Sequence, residues 1–154
     1  MALLVTLIFI ATVLNGGIAG ASLEGSLVKL PTRRRIGNVA YATFARGNDL
    51  GNGRVVYPTW AISATLFVFI ATGVAAVSHA SGGLVLPLAL ASATSVGHFL
   101  ATSQAAPVML SLKSTPDEEA LLKQKLDRFA GFHAVRAAFQ VLTFFLLLWA
   151  VLVV

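Results

Sequence analysis

The chain has no cysteine. That excludes a disulfide framework, a thiolate metal site and a cysteine nucleophile, and it leaves the redox compartment unread. Charge is nearly as scarce, since Asp, Glu, Lys and Arg make up 11% of the 154 residues, less than half the share of a soluble domain at about 25%. Apolar residues take their place, 57% of the chain in long runs. That balance lies outside the soluble range and inside the membrane one. The formal charge of +5 invites a nucleic-acid partner, but its placement, described below, argues against one.

Segment 2–22 is apolar but for Thr6, Thr12, Asn15 and Ser22. At ~1.5 Å per residue it can cross a hydrocarbon core of about 30 Å. Ala19, Gly20 and Ala21 resemble a signal-peptide cleavage site, yet no Lys or Arg precedes Lys29, and signal peptides open on positive charge. A membrane span is therefore expected there. Gly16 and Gly20 form a GxxxG pair that lets a neighbouring helix approach. Further spans are expected at 58–78, opening on the interfacial aromatics Tyr57 and Trp60, at 84–112, with Pro87 and Pro107 inside it, and at 134–154. The expected fold is all-α: a four-transmembrane-helix bundle forming one domain over 1–154.

The connection 30–57 is too polar to span. With Thr32 as N-cap, Ile36, Val39, Ala40 and Phe44 fall on one face and Arg33, Arg34 and Arg35 sit beside headgroups, which predicts a short cytoplasmic interfacial helix near 32–46. The run GNDLGNG at 47–53 is turn chemistry. Thr115, Pro116 and Glu118 read as a capping box with proline at N1, and Gly131 is the expected break before the fourth span.

Four spans put the connections 30–57 and 113–132 on one side. All 11 Lys and Arg residues lie in or next to these segments, and none lies at the His79 turn or either terminus. By the positive-inside rule both termini face the non-cytoplasmic side. The arginine triplet then marks anionic lipid headgroups rather than nucleic acid.

Polar side chains inside the spans are costly and mark interiors or cavities. Counted at ~1.5 Å per residue from the outer ends, Asn15, His98 and Gln140 lie about 20 Å deep, and Glu24, Gln104, His133 and Arg136 about 27–33 Å deep. These residues, with Thr102, are the candidate site. We expect Glu24, His98, Gln104, His133 and Arg136 to line one cavity between the first, third and fourth spans, with Glu24 pairing Arg136. Each also has a structural role open to it: Arg136 can snorkel to headgroups, and Asn15 and Gln140 can join helices. A metal site from His98, His133 and Glu24 has no supporting local spacing, and no metal is expected. A glutathione-using four-helix enzyme lacks its acidic second-helix motif here. An accessory subunit, packing on other membrane subunits or a second copy through Gly16, Gly20, Ala71 and Gly73, is the non-catalytic alternative.

The pieces GGIAGASLEGSLVKLP, TSQAAPVMLSL and DRFAGFHAVRAAFQVL resemble the anthrone-oxygenase-like family of small four-helix membrane proteins. Such proteins carry Pro-x-Asn near the end of the third helix and Trp-x-x-x-His-x-x-Arg entering the fourth. Here Pro107 is kept, Met109 stands for the Asn, Phe129 stands for the Trp, and His133 and Arg136 match. The resemblance implies oxygenation of a polycyclic aromatic without cofactor, in a bacterial cytoplasmic membrane. His133 would serve as base beside Arg136 and Glu24, with Asn15, His98, Thr102, Gln104 and Gln140 around the substrate.

Overall fold

The computed structural model describes residues 2–154. It is all-helical: α1 (Ala2–Glu24), α2 (Leu30–Ile36), α3 (Asn38–Gly47), α4 (Gly53–Val77), α5 (Gly82–Ser111) and α6 (Glu119–Val153). π-helical turns at Gly25–Lys29 and Asn48–Asn52 lead into α2 and α4, and a short 3-10 turn at Leu112–Ser114 follows α5. Four stretches are long and apolar enough to cross a membrane: Ala2–Ile36, Asn38–Val77, Gly82–Ser114 and Glu119–Val153. Around the bundle α1 packs on α4, α4 on α5, α5 on α6 and α6 on α1. The termini share one end, and α2, α3 and the turn after α5 close the other, charged end.

The interior has two dry cores. Leu7, Ile8, Val68, Leu88 and Leu147 pack together near the termini, while Tyr41, Ala42, Ala45, Met109, Leu122 and Phe129 pack at the charged end. Between them lie the buried polar residues Asn15, Ser95, His98, His133, Gln140 and Thr143. Hydrogen bonds join helices here: Asn15 donates to the Ala64 carbonyl (3.3 Å) and Thr94 meets Thr143 (2.7 Å).

Several local expectations need correction. The segment 32–46 is two helices. Gly37 sits at φ 86°, a conformation costly for any residue with a Cβ, and it turns the chain so that Tyr41, Ala42 and Ala45 dock on the bundle. Ile36 and Phe44 remain exposed while Val39 packs inward, so the expected lipid face is split. Thr32 does not cap, because its hydroxyl donates to the Val28 carbonyl in a helix already under way (2.8 Å). Thr115 likewise donates back to the Ser111 carbonyl (2.6 Å), and α6 begins at Glu119. Gly131 breaks nothing, since α6 runs unbroken for 35 residues.

The cap of α3 comes from another helix. Glu119 accepts from the backbone N–H groups of Asn38 (2.9 Å) and Val39 (3.1 Å) and from the Asn38 side chain. These hydrogen bonds hold its carboxyl below the ordinary glutamate value. A carboxyl depressed in the folded state contributes stability above its unfolded pKa and loses it as pH falls through the folded value. Glu119→Ala is therefore expected to speed hydrogen exchange at Asn38 and Val39 at neutral pH, with the difference from wild type vanishing in acid.

Candidate functional site

A cavity of about 270 Å³ opens between the polar layer and the charged-end core. All four long helices line it, together with α3 and the turn after it. Ile18, Tyr41, Leu50, Pro58, Ile62, Phe99, Met109 and Phe129 form mostly apolar walls, and His98, Thr102, His133, Arg136 and Gln140 come from α5 and α6. On α6 the stripe Phe129, His133, Arg136, Gln140 steps by four, three and four residues, which keeps it on one helix face.

His133 is held on both ring nitrogens. Arg136 Nη2 donates to its Nδ1. Guanidinium has no acceptor, so Nδ1 bears the lone pair and Nε2 bears the proton, which points at the Ser22 carbonyl (3.3 Å). Phe129 stacks on the ring at 5.3 Å, with planes 28° apart. Gly25 permits this approach, since a Cβ there would stand 2.7 Å from His133 Nε2. Arg136 Nε is buried without a partner.

His98 and Gln140 form the inner end of the cavity, the Gln140 amide lying 3.5 Å from His98 Nε2. His98 Nδ1 and Gln140 Oε1 are buried and unpartnered. Thr102 lines the wall, but its hydroxyl is satisfied by the His98 carbonyl (2.8 Å).

The remaining candidates fall elsewhere. Glu24 pairs with Lys29 (2.9 Å) rather than Arg136, and it does not line the cavity. Gln104 is exposed on the outer face of α5. Asn15 does not line the cavity, but it shares a small void just beyond it with His98 and Gln140, the other two residues of its expected layer, and with Ser95 and Thr143. Among the described residues no three His, Cys, Asp or Glu side chains gather as a metal site. Of the small residues offered for subunit packing, Gly16 faces Phe144 of the same chain and Ala71 lies in the core, while Gly20 and Gly73 face outward.

Asp49 is the acid in the cavity, and Lys29, Arg54, Tyr41 and Tyr57 join it there. Burial raises the Asp49 carboxyl above its ordinary value, against a hydrogen bond from Asn48 (2.8 Å) and the pull of Lys29 and Arg136. No match appears among protein-family models, curated proteins or solved structures. The cavity is an apolar chamber whose lining holds the Arg136 guanidinium and the Asp49 carboxyl group.

Proposed function

We propose that the chain is an integral membrane protein that binds a ring-sized apolar molecule bearing one carbonyl oxygen beside an acidic ring methylene, with that oxygen on Arg136. The associated reaction is cofactor-independent oxygenation. The Arg136 guanidinium, lining an apolar cavity with no carboxylate paired to it among the described residues, carries this reading. A buried donor without a partner costs about 1–3 kcal/mol, and an oxyanion would satisfy it. The +5 charge, crowded at one end of the bundle, favours that end as cytoplasmic and the termini as non-cytoplasmic, in a bacterial membrane.

The chemistry needs a base, an electron-rich intermediate and oxygen. A ring methylene loses a proton; the enolate passes an electron to O₂, the radicals combine, and the hydroperoxide loses water. One oxygen atom ends in a new carbonyl and the other in water. His133 has no lone pair free for the first step, and we assign it to positioning Arg136. Asp49, in its carboxylate form, is the better base, and it lines the same chamber as Arg136. Arg136 stabilises the oxygen of the enolate.

Anthrone tests the binding step, with anthracene as a control of the same ring skeleton and no oxygen. Titration into protein in lipid nanodiscs is expected to show saturable anthrone binding and at least tenfold weaker anthracene binding. Equal affinities would sink the proposal. Asp49→Asn is expected to abolish turnover while leaving anthrone binding within a few-fold. Because the base works ionised and its carboxyl is raised, wild-type activity should fall on the acid side, at a pH above the ordinary aspartate range.

A further inference from the structure

The ligand need not pass through water to reach the chamber. Accepting the binding function proposed above, we infer that the ligand enters sideways from the bilayer hydrocarbon, through a seam between α4 and α5. The wall residues contributed by α6 and the inner part of α1 are buried or half-buried: Ile18 and Ser22 on α1, Phe129, His133 and Gln140 on α6. The exposed wall residues all belong to α4 and α5. They are Arg54, Pro58 and Ile62 (56% exposed) on α4, with Phe99 (37%) and Leu110 (49%) on α5.

The seam is shut elsewhere. Toward the 78–81 turn Thr72 meets Ser92 (2.9 Å) and donates to the Leu88 carbonyl (3.1 Å), and Ala71, Ala75, Leu84 and Leu88 pack in the core. Beneath the chamber Leu30, Tyr41 and Met109 close the charged end as part of the second core. What stays open is a slot from Leu110 to Phe99, roughly 16 Å along the helix. Its rim is apolar except for Arg54 at the charged end. Such a rim suits a solute already dissolved in hydrocarbon and offers a hydrated one no hydrogen bonds. The substrate class is thus a lipid-soluble ring compound that keeps its body in the membrane and turns its oxygen toward Arg136.

The absence of native cysteine allows single thiols to be placed cleanly. A spin label on Ala106→Cys, on the chamber wall, should collide with oxygen dissolved in the bilayer and not with a water-soluble nickel chelate. The reverse ranking would overturn the lateral slot whether or not anthrone binds. A second measurement follows anthrone exchange in nanodiscs after Ile62→Cys is capped with a benzyl methanethiosulfonate. Association and dissociation should both slow at least tenfold, and dithiothreitol should restore them. If capping Arg54→Cys slows exchange and capping Ile62→Cys does not, the route is aqueous and the inference fails. Absence of anthrone binding to wild type would instead count against the proposed function, leaving the spin label to decide the slot.

Discussion

Arg136→Ala is expected to lower turnover by about 10²–10³, the loss typical of removing one donor to a developing oxyanion. Arg136 lines the chamber, with Nη2 committed to His133, so anthrone affinity should fall while anthracene affinity does not change. Stability should move little. Removing Arg136 relieves its unpartnered Nε but leaves the buried His133 Nδ1 without its donor, and each buried group left unsatisfied costs about 1–3 kcal/mol. Arg136→Met, which keeps the bulk, should therefore melt close to wild type and turn over no substrate. Arg136→Met with normal turnover would remove the guanidinium from the mechanism. A lower melting point would mean that it holds the bundle together.

Gly17→Ala is expected to destabilise the bundle and Gly20→Ala to stabilise it, although both lie on α1. Alanine gains about 1 kcal/mol over glycine in a helix interior. A Cβ on Gly17 would stand 2.2 Å from the Trp60 ring, whereas Gly20 has nothing within 4 Å. Overpacking a rigid ring costs typically 1–3 kcal/mol, so the contact at Gly17 should outweigh the propensity gain. The difference between the two variants removes propensity and isolates the α1–α4 contact. Trp60→Phe should recover part of the loss at Gly17 and none at Gly20. Equal melting shifts for the two alanines would show that α1 and α4 do not approach this closely.

The four long helices were legible because apolar runs of span length admit few other structures. Depth was legible as well: counting along straight helices placed His98 beside Gln140, and the structure joins them. Facing was harder. Gln104 is six residues beyond His98, about two-thirds of a turn round the helix, so the two could not share a face; Thr102, four residues on, could. Glu24 borders a span and so reads as the partner of Arg136, while Asp49 sits in a run that reads as surface turn. Only the fold changes that. Gly37 reverses the chain, α3 docks, and the turn that follows is carried under the chamber. No local pattern encodes such a return, because it depends on Tyr41, Ala42 and Ala45 finding a core built by residues more than 60 positions later.

The unbroken length of α6 has a mechanical meaning. One rod of 35 residues, about 52 Å at 1.5 Å each, carries the Glu119 clasp on α3, the ring of Phe129, the guanidinium of Arg136 and, near its far end, Leu147 in the terminal core. With no hinge along it, a tilt at one station is felt at all of them, as along a lever. Thermodynamic linkage then makes ligand occupancy at Arg136 and the seating of α3 reciprocal: whatever factor the first applies to the second is returned in full.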